Sequence, residues 1–95
     1  MDLEWDEDKR NWTRDNRQMD FADVARIDFA SLVTRQDQRR DYGEFRYSSF
    51  AYLDGTLINF CWTPRQGRIR IISMRKANDR ERKAYLCLLY TSRCV

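Results

Sequence analysis

The sequence predicts an α+β domain: a small antiparallel sheet flanked by helices, in the order β-α-α-β-β-β-β-α. Three observations lead there. Asp54-Gly55 and Gln66-Gly67 are turn signals set between apolar or alternating runs of strand length. Asp6 and Asp20 have the form of helix N-caps in the first third of the chain. Asn78, followed three residues later by Glu81, has the form of a capping box ahead of a last helix.

Taken in order, Leu3-Glu4-Trp5 reads as a short first strand. Asp6 then caps a helix from about Glu7 to Arg17, with Glu7 and Asp8 in the first turn, where carboxylates suit the helix dipole. Its apolar face is thin, and Trp12 is the expected anchor. Asp20 caps a second short helix, Phe21 to about Ile27, with Phe21, Val24 and Ala25 on one side. A weaker strand runs from Leu32 to Arg39. Strands from Glu44 to Leu53, Thr56 to Thr63 and Arg68 to Met74 complete a meander, with Ile58, Phe60 and Trp62 sharing a face of the middle one. Pro64, the only proline, falls between two of these strands. The last helix presents Ala84, Tyr85 and Leu88 as its apolar stripe.

Ninety-five residues make one domain with a modest core. The functional part is expected over residues 1–86. Residues 87–95 read as a tail foreign to it, similar to translated cloning or adapter sequence. No run approaches the length of a membrane span, and the acidic opening Met1-Asp2-Leu3-Glu4 is no signal peptide, so a cytoplasmic protein with no membrane partner is expected. Cys61, Cys87 and Cys94 are odd in number and irregular in spacing, which argues against a disulfide framework. With no histidine and no CxxC, no metal site and no cofactor are expected.

The net charge of +3 hides a polarity. Residues 1–32 hold five Lys/Arg and nine Asp/Glu, a balance of −4, whereas residues 33–95 hold thirteen and six, a balance of +7. Fifteen of the 18 basic residues are arginine, whose planar fork pairs with phosphate and stacks on bases. A basic half interleaved with aromatics fits a nucleic-acid footprint. It fits a solvated surface with an arginine bias equally well.

The histidine-free composition excludes Ser-His-Asp and Cys-His catalysis, and no phosphate-cradling glycine loop is present. Charged residues on or beside strands remain. Glu44 and Arg46 are two apart, so on a strand they share a face, with Ser48 following. Arg75 closes the last strand, and Arg80 and Arg82 lie in the first turns of the last helix. A carboxylate beside guanidiniums is able to cleave a phosphodiester without metal: it takes the proton of a ribose 2′-hydroxyl while the arginines neutralise the phosphorane. The competing reading is a cross-strand salt bridge on a solvated face, which spacing alone favours. Lys9 reads in the same two ways, and Arg68-Ile69-Arg70 is either a phosphate track or a charged edge that discourages aggregation.

These residues carry a family resemblance. Glu4-Trp5-Asp6 with Lys9, Phe21-Ala22, Asp41-Tyr42-Gly43-Glu44 with Arg46, Thr63 with Arg65, the run from Arg68 to Ala77, and Arg80-Glu81-Arg82 with Tyr85 together resemble the BrnT toxins over about residues 3–86. The resemblance implies a RelE-type toxin fold and a ribonuclease that inhibits translation. It also implies a BrnA-like DNA-binding antitoxin as partner, with operator DNA reached through that antitoxin. Where the family commonly ends its first helix with Asn-x-x-Lys-His-Gly, this chain has Thr13, Asn16, Arg17 and Gln18, so the histidine and the C-cap glycine are both gone. A toxin homologue that only binds antitoxin and operator is therefore the alternative to an active enzyme. For the enzyme, the expected catalytic residues are Glu44, Arg46, Arg75 and Arg82, and the expected RNA-binding residues are Lys9, Arg65, Arg70 and Tyr85.

Overall fold

A computed structural model of the chain describes residues 2–37 and 43–93. Its elements are strand β1 (Leu3–Trp5), helix α1 (Glu7–Arg17), two 3₁₀ helices (Phe21–Arg26 and Phe29–Ser31), strands β2 (Val33–Gln36), β3 (Tyr47–Leu53), β4 (Thr56–Arg65) and β5 (Arg68–Lys76), and helix α2 (Asp79–Arg93). The five strands form one sheet in the order β1-β5-β4-β3-β2. Strands β2 to β5 are an antiparallel meander, but β1 pairs parallel with β5, so the sheet is mostly rather than wholly antiparallel.

Helix α1 starts where expected: the Asp6 carboxylate accepts from the Asp8 amide at 2.9 Å. Its anchor is not Trp12, which is 52% exposed with the Arg17 guanidinium lying 4.9 Å over its ring. Thr13 is the buried residue of this helix, its hydroxyl donating to the Lys9 carbonyl at 2.8 Å. At the C-terminus, Gln18 stands in the left-handed region at φ 53°, a conformation that costs a non-glycine residue free energy.

The second helix is 3₁₀ rather than α. Phe21, Val24 and Ile27 repeat every three residues, and at three residues per turn all three fall on one side, where they are buried. Asp20 and Asp28 each accept the amide two residues on, at 3.0 Å, so the segment is capped twice in nine residues. With Met19, Ala51, Ile58, Phe60, Ile71 and Met74, these residues make the main core on one face of the sheet. A smaller core of Leu57, Ala77 and Tyr85 sits under α2 on the other face, with Val33, Phe50 and Tyr52 packed against it.

The hairpins follow their turn residues. Asp54-Gly55 has φ of 50° and 79° and Gln66-Gly67 has 53° and 78°, the all-positive geometry of the two-residue turn whose twist matches the strands. Strand β4 runs two residues beyond expectation, through Pro64, and β5 runs to Lys76. Strand β3 starts at Tyr47, so Glu44 and Arg46 precede it instead of lying in it, and β2 is confined to Val33–Gln36. The expected end of that strand, Arg39, lies outside the described residues, as do Asp41, Tyr42 and Cys94. Helix α2 has the reciprocal capping box: the Glu81 amide donates to Asn78 Oδ1 at 2.8 Å, and the Asn78 amide donates to Glu81 Oε1 at 3.0 Å. The helix ends at Arg93 and so takes in residues 87–93.

Candidate active site

Residues paired in register across neighbouring strands share a face. On the face that carries α2, this gives three cross-strand rows. Val33, Phe50, Asn59 and Arg75 form the first, beside the helix. Arg35, Ser48, Cys61 and Ser73 form the second. Thr63, Arg70 and Glu4 belong to the third, farthest from the helix. Between the second and third rows β5 has a bulge: Cys61 faces Ser73 and Trp62 faces Ile71, which leaves Ile72 as the extra residue.

A pocket of about 220 Å³ opens on the third row, lined by Lys9, Glu44, Arg46, Thr63, Arg65 and Arg70 together with Asp6, Ile71 and Ile72. Four cations and two carboxylates give it a balance of +2. Asp6 is engaged as the α1 cap, which leaves Glu44 as the pocket's other carboxylate. Glu44 Oε2 accepts from Arg46 Nε at 3.0 Å, so the pair expected from the spacing forms even though neither residue is in a strand. Thr63, 2% exposed, holds this segment: its hydroxyl donates to the Phe45 carbonyl at 2.6 Å. The Arg46 carbonyl in turn accepts from the Asp37 amide at 2.8 Å. Arg70 lies 3.8 Å from Glu4. Among the described residues, the side chains of Lys9 and Arg65 make no hydrogen bond or ion pair.

The remaining expected residues are elsewhere. Arg75 lines a larger cavity, about 550 Å³, between the first two rows and α2. Its guanidinium grips Glu81 through two bonds, at 2.6 and 2.8 Å, and Arg75 with the Asn78 amide holds the Glu81 carboxyl down at about 2 despite partial burial. Arg82 lines neither cavity; it pairs with Asp79 and donates to the Ala77 carbonyl at 3.2 Å. Tyr85 is 4% exposed, and its hydroxyl donates to the Ser31 carbonyl at 2.6 Å. Burial pushes that phenol above its ordinary value, which makes it a poorer proton donor. The structure thus gathers Glu44, Arg46, Lys9, Arg65 and Arg70, and sets Arg75, Arg82 and Tyr85 apart from them. Arg35 escaped the sequence reading; the signal was its two-residue spacing from Val33 on a short strand. Among the described residues, no group of three His, Cys, Asp or Glu side chains is placed to hold a metal ion.

Residues 5–81 match the model of the ribonuclease toxin, BrnT, of type II toxin–antitoxin systems. The chain belongs to that family. No curated protein matches it. Membership makes RNA the substrate class and an antitoxin the partner class. The BrnT match runs from the end of β1 into the first turn of α2, so it takes in Lys9, Glu44, Arg46, Arg65, Arg70 and Arg75 and stops short of Arg82 and Tyr85. Among the described residues, no helix is long and apolar enough to cross a membrane.

Proposed function

We propose that this BrnT chain is a metal-independent endoribonuclease that inhibits translation by cutting RNA, with the pocket around Glu44 as its reaction centre. The observation that carries this is the carboxylate of Glu44 set among Lys9, Arg46, Arg65 and Arg70 on an open sheet face. Glu44 accepts the proton of a ribose 2′-hydroxyl. The 2′-oxygen attacks the adjacent phosphorus, the bond from phosphorus to the 5′-oxygen breaks, and a 2′,3′-cyclic phosphate remains. Arg46, Arg65 and Arg70 neutralise the charge that builds on the phosphoryl oxygens, the part a metal ion plays in other nucleases. The departing 5′-oxygen takes its proton from Lys9, because arginine does not release one. A BrnA-like, DNA-binding antitoxin neutralises the enzyme, and the pair reaches its operator through that antitoxin.

One observation favours a second reading, that of a homologue that only binds antitoxin and operator: the chain has no histidine. Incubating purified protein with single-stranded RNA in the presence of a chelator separates the two. The first reading predicts fragments ending in a 2′,3′-cyclic phosphate. Intact RNA with folded protein selects the second.

A further inference from the structure

The larger cavity beside α2 plays no part in that chemistry, yet its construction is that of a ligand site. Its volume of about 550 Å³ falls within the range of small-molecule pockets. Phe50 and Tyr85 supply aromatic wall, while Ser48, Asn59 and Ser73 supply short polar groups. Asn59 is 4% exposed and donates its amide nitrogen to Ser48 Oγ at 2.9 Å and to the Ser49 carbonyl at 3.1 Å. Both amide hydrogens are therefore engaged, and Asn59 offers the cavity an acceptor, its carbonyl oxygen. Ser48 Oγ already accepts from Asn59, so it offers its proton. An acceptor and a donor side by side, fixed by each other on adjacent strands, suit the paired donor and acceptor on the edge of a nucleobase. Arg35 and Arg80 also line the cavity, and among the described residues their side chains make no ion pair or hydrogen bond. The cavity adjoins the Glu44 pocket along the same strands, because Cys61 and Thr63, two residues apart on β4, belong one to each. Same-face neighbours on a strand lie about 7 Å apart.

We infer that this cavity is a nucleotide subsite. It receives one unpaired base of the RNA chain, next to the nucleotide whose 2′-hydroxyl meets Glu44, with Asn59, Ser48 and the Ser73 hydroxyl reading the base edge and Arg35 and Arg80 holding its phosphate. The subsite sets a sequence preference at one position flanking the cut. This inference rests on the reading of the chain as a ribonuclease, and its test has an arm that does not.

The four ribonucleoside 5′-monophosphates are titrated into the isotope-labelled protein and followed by amide chemical shifts. The expected result is saturable shifts at Ser48, Asn59, Cys61 and Ser73, larger for one base than for the others. The surface variant Arg35→Ala with Arg80→Ala is expected to weaken binding about tenfold or more, as loss of charge-assisted bonds to phosphate does. Ser73→Val, which removes a hydroxyl from the floor, is expected to level the difference among bases. Shifts confined to residues around Glu44, or no saturable shifts, overturn the subsite. In the second arm, cut sites on a mixed-sequence RNA are mapped. A parent that cuts with a base preference which Ser73→Val leaves unchanged overturns the subsite alone. A parent that binds nucleotide at Ser73 but cuts nothing overturns the ribonuclease reading and leaves the subsite standing.

Discussion

One face of the sheet carries arginines at both ends, and the two ends use them differently. Beside α2, Arg75 is clamped in a two-bond pair with Glu81, and Glu81 is itself half of the box that starts the helix. The Arg75 guanidinium there ties β5 to α2. At the far end, Arg46 donates to the pocket carboxylate Glu44, Arg70 stands 3.8 Å from Glu4, and the Arg65 side chain makes no hydrogen bond or ion pair with another described residue. The Arg65 charge, which no other described residue ties down, is available to a substrate phosphate. The contrast teaches that residue type and proximity to a strand end do not assign an arginine to chemistry; what its partner does for the fold decides.

The comparison breaks first at Arg46. In the proposed mechanism Arg46 contacts the developing phosphorane, so the cleavage rate of Arg46→Ala under single-turnover conditions is expected to fall ~10²–10³-fold, by analogy with loss of an oxyanion donor. The circular dichroism spectrum should stay that of the parent. Arg75→Ala should do the opposite. Allowing for the 40% exposure of the Arg75 side chain, loss of its bonds to Glu81 is expected to cost about 1–2 kcal/mol of stability, read from the urea midpoint. Cleavage per folded molecule should fall far less than in Arg46→Ala. An Arg75→Ala protein of parental stability that no longer cuts would show that the clamp opens for substrate.

The pair also leaves a pH signature. The Glu81 carboxyl is depressed from 4.5 to about 2 in the folded state, so its contribution is fully present above about 4.5 and is lost as pH falls toward 2. Glu81→Gln should therefore be less stable than the parent at neutral pH, and the gap should narrow as denaturation is repeated down to about pH 3. A gap that holds constant would mean that the hydrogen bonds, not the charge, carry the interaction. The smallest effect belongs to Arg65→Ala: the slope of log affinity for single-stranded RNA against log salt should become shallower by about 0.7, the share of one phosphate contact.

Much of this architecture was legible where local chemistry dictates it. Positive φ at Asp54-Gly55 and Gln66-Gly67 and the Asn78–Glu81 box are properties of short segments, and the strands and last helix follow from them. What escaped depends on contacts distant in sequence. Trp12 is apolar in composition yet ends on the surface under Arg17, because Thr13 takes the buried position of α1. The 3₁₀ form of the second helix lay in the three-residue spacing of Phe21, Val24 and Ile27, which a helical reading absorbs without strain. Glu44 and Arg46 were paired correctly for an incorrect reason: the chain segment before β3 brings them together, and Thr63 on β4 pins it. Glu81 was recognised as a cap, but that the same carboxylate would occupy Arg75 required knowing where β5 meets α2.

The most direct test of the Glu44 pocket is single-turnover cleavage of single-stranded RNA by Glu44→Gln, with RNA affinity measured on the same sample. Loss of a general base is expected to slow cleavage ~10²–10⁴-fold. Affinity should hold or tighten slightly, because a carboxylate has left a pocket lined by four cations. A Glu44→Gln protein that cuts at the parental rate would contradict the assignment and place the reaction elsewhere on the molecule.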